Sequence, residues 1–353
     1  KNCSPAPLER ILEENQGWRR PSRALVSLAK VSREAARREL PRFVSHPLWQ
    51  ARVYAARAAK ELGHDASLEK LRSDPHPNVV AEALRTPDEA VEALASDDHG
   101  LLMTALEMLK DRVSASAAPV LLDTLARISA HKEATSRDPR RLLLERLREA
   151  EGVELEGFEE KLDFLLSDFD PVIAALAAEI LTEKTGRRVE PLTKRLAPDP
   201  PPSRDFLLGL EGARARIEMK EAGTFTIELL PGDAPLTAAQ FAKLAESGYY
   251  RGLTFHRIVP NFVIQGGSPG ANEYVGTPGY LRDEVSILSH LRGTLGISTR
   301  GRDTGDSQIF VNLVDNYRLD HNYTVFARVI EGMENVDAIQ EGDVFEDIVI
   351  ERR

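Results

Sequence analysis

The chain has 353 residues, more than one ordinary hydrophobic core organises, so two domains are expected. Its 46 basic and 56 acidic residues give a formal charge of -10, and neither half carries a basic excess, which excludes a nucleic-acid binder relying on a concentrated cationic face. Hydrophobic residues make up 42% and charged residues 29% with no bilayer-length apolar run, which excludes disordered and membrane-spanning classes; one cysteine, Cys3, and eight histidines without metal spacing leave no disulfide, metal or other cofactor to expect.

From the N-terminus, apolar residues recur at three- and four-residue steps, as in Val53, Ala56, Ala59 and Leu62 and again in Val172, Ala175, Leu176 and Ile180, which is helical spacing. Several helices share a start in which Ser or Asp and Pro precede the run: Ser45-His46-Pro47, Ser73-Asp74-Pro75-His76-Pro77 and Ser167-Asp168-Phe169-Asp170-Pro171. A related start without proline is Ser96-Asp97-Asp98-His99, and such residues cap first turns. Residues 51–63, rich in alanine, resemble the second helix of a HEAT repeat, as do 174–181; residues 1–197 are therefore expected to form an all-α, HEAT-like solenoid with unevenly spaced units. The acidic stretch holding Glu149, Glu151, Glu154, Glu156, Glu159 and Glu160 reads as a solvated turn, and Trp18 and Trp49 as packing residues.

The segment Ala197-Pro198-Asp199-Pro200-Pro201-Pro202-Ser203 cannot continue a helix or pair in a central strand, so residues 198–206 are expected to be an extended linker and residues 207–353 a second domain. There the period turns to alternation. Residues 214–220 and 224–230 are predicted strands of a hairpin turning at Ala222-Gly223, followed by an amphipathic helix over 236–247 with Phe241 and Leu244 inward. Further strands are predicted at 254–258, 262–266, 293–299, 307–311, 324–330 and 347–351, with a short helix near 334–339. Eight short strands and two helices predict a closed antiparallel β-barrel capped by helices.

Three separated segments carry the chemistry. The first is Phe255-His256-Arg257-Ile258-Val259-Pro260-Asn261-Phe262-Val263-Ile264-Gln265-Gly266-Gly267, which closely resembles the F-H-R…F-x-x-Q-G-G pattern of the cyclophilins. The others, Gly293 to Ser298 with Ser307 to Val311 and then Leu319 to Met333, are similar to that family's second active-site strand pair and last conserved segment. Together with the hairpin, the likeness covers the whole second domain. It implies a peptidyl-prolyl cis/trans isomerase in which Arg257 is catalytic with Gln265 as its polar companion. It further implies that Phe262, Val263, Phe310 and Leu319 line a proline pocket, that Ser298, Thr299 and Gln308 bind the substrate backbone, and that Tyr323 stands where many members have histidine. Val263 replaces a common methionine, and Arg318 stands where eukaryotic members carry the tryptophan that contacts cyclosporin, so weak cyclosporin inhibition is expected.

Elementary chemistry points the same way. Rotation about an X-Pro bond faces a barrier of ~18–20 kcal/mol because amide resonance is lost at the twisted geometry. No covalent bond forms or breaks, so tighter binding of the twisted amide is all that catalysis requires. A permanently charged guanidinium can donate to the proline nitrogen as its lone pair is released, while an apolar pocket anchors the ring. His256 is read as structural, since no proton is transferred, and Phe326 as barrel core. Gly266-Gly267-Ser268-Pro269-Gly270 also fits the G-x-S-x-G pattern of hydrolases, but Pro269 lacks the N–H that an oxyanion hole would need. The expected partners are proline-containing polypeptides, with a protein partner on the helical domain and a monomeric state. A scaffold that grips proline segments without turnover is the alternative. The non-methionine start and bacterial-type Tyr323 tilt the expected location toward export.

Overall fold

The computed structural model describes residues 4–13, 17–114, 116–150, 158–192 and 200–352. Two compact units emerge, one from Lys1–His131 with Asp138–Leu192 and one from Lys132–Arg137 with Thr193–Arg353. Cys3, the boundary expected at residue 197 and the acidic positions Glu151, Glu154 and Glu156 lie outside the described residues.

The first unit is built of helices. Trp49–Leu62 packs against Arg19–Val31, Arg33–Val44, Asp65–Arg72 and Pro77–Ala83. Its Ala51, Ala55, Ala56, Ala58 and Ala59 have no exposed surface, because methyl-sized side chains let neighbours approach on several sides. Trp49 stacks on His76 and Trp18 tilts against Tyr54, both in packing roles. No helix among the described residues is long and apolar enough to cross a membrane.

Two of the Asp-Pro starts share one construction. Asp74 accepts the His76 N–H at 2.9 Å and a two-point bond from Arg52 at 2.6 and 2.9 Å, just before Pro77–Ala83. Asp168 accepts the Asp170 N–H at 2.7 Å and is held by Arg140 Nη1 at 2.9 and 2.8 Å, before Pro171–Thr185, whose first turn Asp170 caps through the Val172 N–H. At Ser45 the expected cap is absent: Ser45 closes the preceding helix, and His46 Nδ1 accepts the Leu48 N–H instead. The buried face of Pro171–Thr185 does not coincide with the apolar positions that give its helical spacing. It comprises Ile173, Ala174, Ala177, Ala178, Ile180 and Leu181, whereas Val172 is 43% exposed. The first turns of that helix are apolar all round, so spacing alone does not select a face.

In the second unit, Ser203 accepts the Phe206 N–H and caps the helix Arg204–Leu208, so the expected spacer has already turned helical before residue 206. Eight strands then follow: β1 Arg214–Met219, β2 Gly223–Leu229, β3 Thr254–Val259, β4 Val263–Ser268, β5 Thr294–Ile297, β6 Ile309–Asn312, β7 Val325–Glu331 and β8 Asp343–Glu351. They close antiparallel in the order β1-β2-β7-β5-β6-β4-β3-β8, which leaves no free sheet edge. Alternate residues, among them Ile217, Phe225, Phe255, Ile309, Val311, Phe326 and Phe345, fill the interior. Helices Pro235–Glu246 and Met333–Ala338 contribute Phe241 and Val336 to that core. Glu284 caps the first of them, its carboxylate accepting the Leu236 and Thr237 N–H groups at 2.8 and 2.7 Å.

Candidate active site

Strand register lays out the site. Arg257 on β3 is the partner of Gln265 on β4, Gln265 of Phe310 on β6, and Phe310 of Gly296 on β5, so one row crosses four strands. Ile309 and Val311 enter the barrel core, and the pleat sends Phe310 to the opposite face. Glycine at 296 is what admits the ring, since a Cβ there would come within 2.3 Å of Phe310 Cζ. Phe310, Val263 and Leu319 form an apolar group separate from the barrel core, with Phe262 and Tyr323 packed against it. Tyr323 meets Phe310 edge-on at 5.9 Å, and His290, fully buried, stacks on Phe310 at the same centroid distance. Burial pushes His290 below its ordinary pKa, against the pull of Asp320 at 3.1 Å.

A cleft of about 230 Å³ opens over this group. Its lining brings together Arg257, Phe262, Val263, Gln265, Ser298, Thr299, Phe310, Leu319 and Tyr323, with Glu273 and Arg300 in addition. Gln308, expected to touch substrate, lies behind the wall instead: it is 1% exposed and donates to the Glu273 and Val275 carbonyls at 3.1 and 3.2 Å. Gln265 gives its amide N–H groups to Ser298 Oγ at 2.9 Å and Gln308 Oε1 at 3.1 Å, which turns its carbonyl oxygen toward Arg257 Nη1 at 3.4 Å. The chain of bonds holds the Gln265 amide in one orientation.

Arg257 is 40% exposed, and its Nε lies 3.0 Å from Glu273 Oε1. Glu273 carried no sequence signal, since it sits in the long loop after β4 with neither periodicity nor motif. Arg300 likewise follows β5 unmarked; it donates to the Glu273 carbonyl and, at 3.2 Å, to the Tyr280 hydroxyl. The hydrolase-like Ser268 ends β4, is 1% exposed, and donates to the Val275 carbonyl at 2.6 Å, with a turn rather than a helix after it.

His256 keeps both ring nitrogens buried. Burial drives its pKa from 6.5 to about 4, opposed by the Thr254 backbone and aided by the charge of Arg257. The unfolded chain therefore takes up this proton first, so the stability that the neutral His256 contributes is full above about pH 6.5 and is lost progressively as the pH falls to about 4. The loss amounts to about 3 kcal/mol. Denaturant midpoints at pH 7 and pH 4 check this: His256→Gln is expected to lose less on acidification than the wild type, and equal losses would contradict it.

The family model described as Cyclophilin type peptidyl-prolyl cis-trans isomerase/CLD matches residues 214–352. A peptidyl-prolyl cis-trans isomerase of Helicobacter pylori is 40% identical over 132 residues, covering 36% of this chain and 80% of that protein. Peptidyl-prolyl cis-trans isomerase B of Bacillus subtilis is 38% identical over 136 residues, covering 38% and 94% respectively. Among solved structures, a cyclophilin type peptidyl-prolyl cis-trans isomerase of Cryptosporidium parvum covers 40% of this chain and 98% of its own at 27% identity, with a TM-score of 0.38.

Proposed function

The chain belongs to the cyclophilin-type peptidyl-prolyl cis-trans isomerase family, and from that membership we propose how its cleft accelerates X-Pro rotation. The proline ring seats on Phe262, Val263, Phe310 and Leu319, and the Arg257 guanidinium donates to the prolyl nitrogen once twisting has localised its lone pair. Gln265 holds the guanidinium in place. Ser298, Thr299 and Tyr323 contact the substrate backbone, and Gln308 acts through Gln265. The observation that carries this reading is the register row joining Arg257, Gln265 and Phe310, which sets one fixed charge beside one apolar seat. The helical unit serves as a HEAT-like surface that recruits clients or a partner protein; its buried alanine row and repeated Asp-Pro starts support that assignment.

Mixing the full chain at substoichiometric concentration with an X-Pro peptide tests the reading. Exchange between cis and trans well above the spontaneous rate is expected, whereas binding with exchange at the spontaneous rate would leave only the scaffold alternative. Arg318 sits over the Phe262 ring at 4.1 Å, at the position where eukaryotic members of the family carry tryptophan. Weak inhibition by cyclosporin is therefore expected, with tighter inhibition of Arg318→Trp; equal inhibition constants for the two proteins would contradict it.

A further inference from the structure

The proline cleft continues past Phe262 and Tyr323 into a groove of about 550 Å³ whose wall includes Arg302, Arg318 and Asn322. Arg318 lays its guanidinium carbon 4.1 Å from the centre of the Phe262 ring. That stacking occupies one face of the guanidinium plane and leaves its N–H edges as donors. Among the described residues no acidic side chain forms an ion pair with Arg318. Arg302, 60% exposed, is steadied from behind by Asp283 at 3.6 Å and by the His321 carbonyl at 3.0 Å. Asp320 is engaged with His290 and Asp303 accepts the Asp283 N–H, and neither lines the groove. Among the described residues the groove's lining holds two arginines and no carboxylate side chain, so in a chain of net charge -10 it presents guanidinium donors directly beside the proline seat.

Building on the isomerase reading above, we infer that this groove is a specificity subsite that takes an acidic side chain, Asp or Glu, lying next to the proline in the substrate. The chemistry matches on both counts: a planar guanidinium edge pairs with a carboxylate, and the ring of Phe262 and the side chain of Leu319 cover the short apolar stem that carries it. A lysine in the same place would meet two like charges, so the site discriminates by repulsion as well as attraction.

The test uses the full chain and peptides that differ only in one residue flanking the proline, with Glu, Ala or Lys placed in turn on each side. On the flank that reaches the groove, kcat/KM is expected to favour Glu over Lys by about fivefold at low salt, and added salt should narrow the gap. Arg318→Gln should remove most of the preference and Arg318→Glu should invert it. Taking the ratio within each variant cancels any general loss from disturbing Phe262, and calorimetric binding of the same peptides supplies that ratio even where turnover is slow. Equal efficiency for Glu and Lys on both flanks, or an unchanged ratio in Arg318→Glu, overturns the inference. The Ala peptide reports separately on the isomerase reading, which stands if that peptide is turned over.

Discussion

Replacing Arg257 with alanine is expected to lower kcat/KM for an X-Pro peptide by about 10²–10³-fold, since removing one preorganised donor at a transition state typically costs ~2.7–4 kcal/mol. The barrel should stay folded. At 40% exposure Arg257 gives up little packing, and the Glu273 carboxylate it leaves behind is 46% exposed and can be solvated. Arg257→Lys keeps the charge without the rigid fork, so it should recover only part of the loss. Peptide turnover measured alongside the denaturation midpoint separates this from misfolding. A folded alanine variant with wild-type turnover would place the decisive donor elsewhere in the cleft.

Arg140→Leu is expected to destabilise the helical unit by about 3–5 kcal/mol, the range for breaking a buried ion pair from one side. The Arg140 side chain has no exposed surface; it bonds Asp168 at 2.8 Å, approaches Asp170 at 3.9 Å, and lies 4.6 Å from the centre of the Phe169 ring. Without it, two carboxylates that are 5% and 2% exposed lose the guanidinium charge beside them. Both are also structural: Asp168 fixes the Asp170 N–H, and Asp170 caps Pro171–Thr185. Arg148→Ala is the control, because Arg148 meets Glu179 and Glu183 at the surface and should cost no more than about 1 kcal/mol. Denaturant unfolding followed by helical signal gives both values, and a loss for Arg140→Leu as small as the control's would contradict the assignment.

How far the sequence could be read depended on how local the information was. Strands β3 and β4 are joined by a short turn, so the residues from Phe255 to Gly267 carry both the hairpin and the placement of Arg257 opposite Gln265. Phe310 lies 45 residues beyond Gln265 in the chain, and only the family resemblance brought it to the pocket; the register between β4 and β6 supplies the physical reason. Alternation could not say that the Gln308 amide turns inward to the Glu273 and Val275 carbonyls, because that depends on a loop with no period. Glu273 was illegible for the same reason. Spacing shows that Pro171–Thr185 is helical but does not select its buried side, because alanine and isoleucine occupy nearly every direction around its axis and tertiary neighbours decide which side is covered.

Catalysis requires Arg257 to act on the twisted peptide bond, beyond mere capture of proline. Exchange NMR of a saturating enzyme–peptide complex measures the cis/trans interconversion rate of the bound peptide separately from its dissociation constant. For Arg257→Ala, bound-state exchange is expected to slow by about 10²–10³-fold with little change in affinity. A bound peptide that interconverts as fast on the alanine variant as on the wild type would contradict it.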